Sequence, residues 1–505
     1  MLSSLYIGAT GMKTHASGMQ VLSNDIANVN TVGYKDADYR FANLFSTEVA
    51  SQSNGVTGYS QLGMGASLHD IKTKFTQGAV LPTNQATDIA IAGKGFFKVV
   101  DSQDNSEFYT RAGNFIFDYQ GVLRDPNGLA VQGKPVTAVA TDGTLTLGAT
   151  SDIALDIGTD GNVSMPPSAT SNVSFFTNLD GDNEIEDAAN PYFSLLTAYD
   201  ATNDPPLNPA YRDTMRVYDS NGVSRSLNLY FDKVGTENGV TTWEYVIAGD
   251  PDVDGSNLAG GAGAGLLQSG TMSFNSSGQL ISQSAYNYTG DGSDHTALDD
   301  WTPASVNSDG IPSFTASYSD GSSATIGLNL GFQSSTGQWQ GGTGSAAGVT
   351  SASDLVSLNA TRAANASSSF PGQGSFAKFT DQDGYTEGFL QGIKFTQEGV
   401  MMGSFSNGET APLYQLTLYN FTSEDGLSRE GSNLYAATPD AGEVTENLPG
   451  EGAAGTVSDH SLEQSNVDLA REFTQMITTQ RGFQANSKVV TTSDEVLRTA
   501  LSMKR

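Results

Sequence analysis

Apolar residues return every seven positions at both ends of the chain. Leu5, Met12, Met19 and Ile26 form one such row within the first 27 residues, with Leu2, Ala9 and Ala16 beside it and Ile7 and Leu22 off it. That interval places one apolar face along a helix. The helix is predicted to stop in the run Asn24-Asp25-Ile26-Ala27-Asn28-Val29-Asn30-Thr31-Val32-Gly33, where Asn and Gly favour turns. At the other end Leu462, Leu469, Met476, Phe483, Val490 and Leu497 keep the same interval, thickened by Phe473, Ile477 and Leu501. A helix over that row covers about 38 residues and, at about 1.5 Å each, about 57 Å. Ser461 with Gln464, or Ser465 with Asp468, is placed to cap its start.

Between the two arms the period changes from seven to two. Arg216–Gly222 followed by Ser226–Phe231 reads as a hairpin, and similar patterns recur at 96–117, 270–282 and 400–421. Asp204-Pro205-Pro206 and the Gly/Ala-rich Leu258–Gly265 read as connections, and 333–353 as long loops. No repeat of 20–50 residues argues for a solenoid. The layout is mainly β with α-helical termini. If the matched seams pair into a helical core, the β domains between them must be nested, each inserted within the one before it.

Charge sharpens this picture. The 505 residues hold 24 Lys+Arg against 55 Asp+Glu, a net of −31. Residues 1–80 are neutral and 461–505 carry +1, so the acidity sits in the middle. Such a surface repels phosphate backbones and anionic lipid, which argues against nucleic acid and membrane partners. No run approaches the length of a membrane-spanning helix, and the first residues lack the pattern of a secretory signal. The absence of cysteine removes disulfides, thiolate nucleophiles and Cys-ligated zinc.

Three patterns touch on ligand chemistry. Gly128–Lys134 fits the opening of a phosphate-binding loop, but Pro135 stands where Ser or Thr would hold Mg²⁺, and a strand pattern follows instead of a helix. Asp250, Asp252 and Asp254 have the spacing of a calcium loop with Gly255 at its sixth position. Position twelve is Gly261 where a bidentate Glu belongs, so a solvated acidic turn is the default reading of that candidate metal site. His15, His69, His295 and His460 stand apart, and no nucleophile or glycosidase motif is complete, so no catalytic residue and no cofactor is assigned. The arms say more. One pair of helices offers little apolar burial for the residues it orders, and both carry apolar residues off the seam, so packing against neighbouring copies is expected.

The same residues resemble a known family. Leu5–Met12 and Asn24–Lys35 resemble the N-terminal signature of bacterial flagellar rod and hook proteins, and Ser465–Ala470 with Gln480–Lys488 and Thr491–Glu495 is similar to the hook protein's C-terminal signature. Asp88–Phe97 and Leu416–Gly442 are similar to that family's inner β domain. The resemblance spans roughly 1–145 and 370–505 and leaves 150–365 to be read from composition. It implies a non-enzymatic, self-assembling subunit of the hook, the curved tube that carries torque from rod to filament. The implied partners are copies of itself, the rod, hook cap and hook-filament junction proteins, and the flagellar export apparatus, through which the chain leaves the cell without a cleaved signal peptide. The implied assembly positions are Leu5, Met12, Met19, Leu22, Ile26, Leu462, Leu469, Phe473, Met476, Phe483, Val490 and Leu497. The matching motif positions are Asn24, Asn28, Asn30, Thr31, Gly33, Tyr34, Lys35, Asn466, Asp468, Gln480, Arg481 and Asn486. The expected division is a helical core of 1–30 with 462–505, and connecting segments 31–80 with 425–461. An inner β domain of 81–148 with 368–424 and an outer region 149–367, with a split near 285, complete it. A distal rod subunit, and an acidic calcium-binding adhesin, are the alternatives.

Overall fold

A computed structural model of the chain describes residues 2–53, 56–140, 143–158, 161–185, 190–203 and 207–503. The connection expected at Asp204-Pro205-Pro206 lies outside them. The chain divides into two compact units, Met1–Val163 with Leu390–Arg505, and Ser164–Phe389. The second is one unbroken insertion in the first, running from 164 to 389 where the sequence pattern placed 149 to 367.

In the first unit two terminal helices, α1 (Leu2–Ala27, 26 residues) and α3 (Leu469–Ser502, 34 residues), pack along one another. Glycines set how close they come. A Cβ at Gly8 would lie 2.7 Å from Val490, one at Gly11 2.5 Å from the Asn486 side chain, and one at Gly482 2.5 Å from the His15 ring. Each costs its helix about 1 kcal/mol of propensity relative to Ala, and each is spent on this approach.

The helix α3 corrects the sequence reading at its start. It begins at Leu469, capped by Asp468, whose side chain accepts from the Ala470 and Arg471 amides. It is therefore about 51 Å long at about 1.5 Å per residue. Leu462 belongs to a strand, Ser461–Glu463, antiparallel to Val80–Pro82 with Leu462 opposite Leu81. The seven-residue rhythm overran the helix because backbone pairing with the outgoing chain claims 461–463 first.

Strand pairing also nests the chain. Thr456–Asp459 lies antiparallel to Ile89–Ala92, so the return leg retraces the outgoing one. Further in, Ala130–Val139 pairs with Thr410–Leu416, drawing both legs into one sheet over a core that includes Ile89, Phe97, Val99, Val131, Met401 and Leu416. Residues 37–53 and 56–73, expected as an extended connection, pair as antiparallel strands instead. Ala37–Asn43 pairs with Ala66–Thr73, and Ser46–Ser53 with Val56–Gly63. The first pair lies against the helices, where Tyr39 packs on Gly18 and its hydroxyl meets Thr479 Oγ1 at 2.8 Å.

Among the described residues the second unit has two six-stranded sheets, a two-stranded ribbon and a helical turn, α2 (Ser194–Ala198). The first sheet is a six-stranded antiparallel meander: Tyr211–Tyr218, Ser224–Glu237, Val240–Ala248, Leu266–Phe274, Leu280–Tyr288 and Trp301–Pro303. One of its faces meets the other sheet through Val217, Leu229, Trp243, Phe274, Phe314 and Ile326. Its other face is covered by α2 and 346–356 over Val246, Tyr286 and Trp301. The expected loops at 333–353 contain a strand, Phe332–Gln340, which alternates buried and exposed residues at its start and pairs with Ser357–Arg362.

Candidate functional site at the root of the terminal helices

Where α1 ends and α3 begins, the two ends of the chain are joined by buried polar groups. Gly33 turns the backbone at φ +70°, and a Cβ there would lie 2.6 Å from Ala112 N. Its amide donates to Glu463 O at 2.8 Å. The turn delivers Lys35 inward, and its Nζ meets Glu463 Oε1 at 2.5 Å and donates to Thr76 O at 2.8 Å. Neither Lys35 nor Glu463 exposes any side chain to solvent. The other carboxylate oxygen receives Arg111 Nη1 at 3.3 Å, while the Gly78 amide donates to Oε1 at 2.8 Å. One carboxylate thus ties four segments together.

A second layer surrounds this triad. Asn466 accepts from Asp36 N at 2.7 Å through Oδ1 and donates through Nδ2 to Lys74 O and Thr76 Oγ1, at 2.8 and 2.9 Å. Tyr34 donates to Asp25 Oδ1 at 2.7 Å and accepts from Asn24 Nδ2 at 2.8 Å, and the Arg429 guanidinium lies 5.6 Å from the centre of its ring. Arg429 also donates to Lys35 O at 2.7 Å, and Asn433 donates to Val32 O at 2.8 Å.

Burial dominates the titration of these groups. It pulls the Lys35 ammonium and the Arg111 guanidinium below their ordinary ranges against the pull of Glu463. It raises Asp25 despite the hydrogen bonds from Tyr34 and Ala37. Burial also raises Glu472 on the first turn of α3, and the Asp25 and Asp36 carboxylates push it the same way. A buried pair of this kind adds little over an apolar substitute, but losing one partner strands a charge at a cost of about 3–5 kcal/mol. The arrangement fixes the register of the two chain ends.

The structure brings Asn24, Gly33, Tyr34, Lys35 and Asn466 into this root. Asn28 closes the end of α1, donating to Asn24 O and accepting from Thr31 Oγ1. Asp468 caps α3, and Asn486 packs against Gly11 while donating to Gly482 O. Asn30, Gln480 and Arg481 stay exposed, outside the root. Of the seam, Leu22 is fully buried, and Leu5, Met12, Met19, Ile26, Met476, Phe483, Val490 and Leu497 are half-buried. Leu469, Phe473 and Ile477 are not. They follow one another at four-residue steps along α3, with Phe473 49% and Ile477 52% exposed, and Val489 and Val496 are bare as well. Sequence reasoning missed Glu463, Arg111, Asp25 and Arg429. Asp25 lay within the quoted motif, while the rest had no local pattern to mark them.

The calcium candidate does not form a cation site. Asp250 caps a single turn over Pro251–Val253 by accepting from Asp252 N, and Asp254 is engaged by the Ser256 hydroxyl and the amides of Ser256 and Gly265. Among the described residues no three His, Asp or Glu side chains converge on a metal position.

Four family models match in chain order. They are the flagella basal body rod protein at 5–35, the flagellar hook protein FlgE/F/G D1 domain at 90–165, the flagellar basal body protein FlaE D2 domain at 178–385 and the flagellar basal body rod FlgEFG protein C-terminal at 458–503. The chain is 32% identical to the flagellar hook protein FlgE of Treponema pallidum, and the match covers 100% of both chains. The chain belongs to the flagellar hook protein family. The hook protein of Borreliella burgdorferi is 31% identical with 100% of both chains covered, and that of Escherichia coli 27% with 98% of both. Hook proteins polymerise with their own kind within the flagellum, so the root described here is part of a polymerising subunit. The two terminal family matches meet physically in it, since Lys35 closes the first and Glu463 lies in the last. No helix among the described residues is long and apolar enough to cross a membrane.

Proposed function

We propose that this chain is the structural subunit of the flagellar hook and that it polymerises through its terminal helices. The observation that carries this reading is the bare apolar stripe of α3. Leu469, Phe473 and Ile477 stand exposed along one face of α3, on a chain whose surface is otherwise rich in carboxylates. A contiguous exposed apolar stripe marks an interaction surface, and neighbouring copies supply the burial that one helix pair lacks. The helices form the wall of a tube, and the acidic 164–389 unit offers polar surfaces that slide on those of other copies as the tube bends. The rod, the hook cap and the hook-filament junction proteins are its neighbours at the ends of the tube, and the flagellar export apparatus delivers it. Its work is mechanical, with no catalytic step.

The test is electron microscopy of the full chain beside Phe473→Ser/Ile477→Ser after salt-induced association. Both residues are exposed, so thermal unfolding of the unassembled variant should match the parent. Tubes from the parent and none from the variant are expected. Tubes from both would remove the α3 stripe as the assembly surface.

A further inference from the structure

The second unit, 164–389, contains 25 Asp+Glu and six Lys+Arg. Half of its few cations are engaged within the chain. Arg225 pairs with Asp219 and Asp320, Lys233 donates to Gly181 O and Asn183 O, and Lys378 donates to Ala366 O. Arg362 stands on the separate Phe332–Gln340 ribbon. Arg212 and Arg216 are different. They lie four residues apart on Tyr211–Tyr218, an edge strand of the six-stranded sheet, and therefore share one face with Thr214 between them. Met215 and Val217 point the other way, into the core. The apolar layer that buries this face over the inner strands does not reach the edge, so both arginines are exposed. Neither makes an ion pair within 4 Å among the described residues. This holds although Asp250 and Asp252 stand with Arg212 around an open groove of about 450 Å³ floored by Ser226 and Asn228.

The opposite edge of the same sheet carries the complementary charge. The loop leading to Trp301–Pro303 exposes Asp291, Asp294 and Asp299, again without an ion pair among the described residues. It is held in shape from within. Asp291 accepts from Ser293 N, Asp294 accepts from Thr296 N and Oγ1, and Trp301 Nε1 donates to His295 O. Five inter-strand spacings separate the two edge strands, about 24 Å at about 4.8 Å each. The loop folds back over the sheet, with His295 Nε2 3.0 Å from Tyr199 O, yet among the described residues its carboxylates pair with neither arginine of the same copy.

We propose that the Arg212–Arg216 edge is a docking strip for a second copy of this chain, and that its occupant is the Asp291–Asp299 loop of that copy. The proposal rests on the polymerising-subunit reading above, which brings copies into contact at high local concentration. Phosphate and lipid surfaces are poor competitors for a chain of net charge −31. Two outer units of like charge repel in most orientations, so attraction of one basic edge for one acidic loop selects a single orientation. A contact that joins different edges of identical subunits is head-to-tail and, where its rotation does not close a ring, propagates along a polymer. Exposed pairs of this kind are individually weak and screened by salt. They guide and release outer units without locking them.

The experiment uses assembled full-length chains carrying R212K/R216K, which keeps the charges and adds amines. ¹⁵N-labelled and unlabelled copies are mixed, and a carbodiimide joins amines to touching carboxylates. Mixed-isotope peptides linking position 212 or 216 to the 291–299 loop are expected, at ten or more times their yield in unassembled chain. Links confined to one copy, to Asp250 or Asp252, or to any other segment overturn the proposal, as does the absence of links at these positions. If the lysine variant does not assemble while the parent does, R212E/R216E/D291K/D294K decides. Links between the same two segments with the chemistry reversed sustain the contact, and their absence overturns it. A parent chain that forms no tube overturns the subunit reading, and this contact with it, and is told apart by microscopy before any cross-linking.

Discussion

Glu463 and Glu244 are both wholly buried carboxylates, one in each unit, and they are handled in opposite ways. Glu463 receives two cations, Lys35 and Arg111, and an amide. Glu244 receives only neutral donors, Ser194 Oγ and the amides of Leu195 and Leu196 at the start of α2, and its cross-strand partner is Asp232. Burial, aided by Asp232, pushes Glu244 up to about 8. A buried carboxylate that meets cations is a fastener between distant segments. One that meets only dipoles holds a proton. The first unit therefore joins its chain ends through paired charge, while the second unit buries a carboxyl whose proton answers to pH.

The contrast can be broken most severely at Glu463. Glu463→Ala leaves Lys35 and Arg111 buried without a counter-charge and should cost the first unit about 3–5 kcal/mol in denaturant unfolding. Amide exchange should rise at 33–37 and 76–78. A loss under about 1 kcal/mol would mean that the pair fastens nothing. At Glu244 the sign follows from linkage. Its folded value lies above its ordinary 4.5, so the stabilisation is complete below pH 4.5 and is lost as pH rises through about 8. The second unit should lose roughly 2–5 kcal/mol across that window, and Glu244→Gln should flatten the dependence. An unchanged slope in the variant would point to other groups.

A smaller effect separates charge from shape. Gly33→Ala keeps every ion in the root but forces a Cβ into a left-handed turn against Ala112, at about 1–3 kcal/mol by thermal unfolding. If it costs nothing, the root is held by its charges alone. The smallest change belongs to the Asp494–Arg498 pair on exposed α3, 3.1 Å apart. Asp494→Asn should shift stability by no more than about 0.5 kcal/mol, the same chemistry as Glu463 made weak by water.

Local pattern revealed the helices. The seven-residue rows placed α1 within a residue of its observed span, because an amphipathic face is written in neighbours three and four apart. The same rhythm failed at Leu462, where strand pairing with Val80–Pro82 overrode it. The root was legible only as a set of motif residues without a geometry. Asn24, Tyr34, Lys35 and Asn466 were named by resemblance, and their roles became visible with partners far away in sequence. Glu463, beside the mis-assigned Leu462, read as one polar residue among many. Gln480 and Arg481, equally prominent in the motif, touch nothing in the root, and their exposure on α3 is of a kind with the bare stripe beside them. The arginine edge was invisible because two arginines among 25 carboxylates balance no count. Only the sheet shows that they share a face.

Lys35 and Glu463 stand 428 positions apart. Joining ends across an unstructured chain of that length costs about 5 kcal/mol in loop-closure entropy, so this contact is a late event in folding. The pairing of 89–92 with 456–459 and then of 80–82 with 461–463 shortens the tether step by step before the charges meet. A chain that stops short of residue 463 leaves Lys35 and Arg111 with no counter-charge to bury. The root therefore works as a length check: it closes only on a polypeptide made past residue 463, and one cut short of that is marked by two stranded cations.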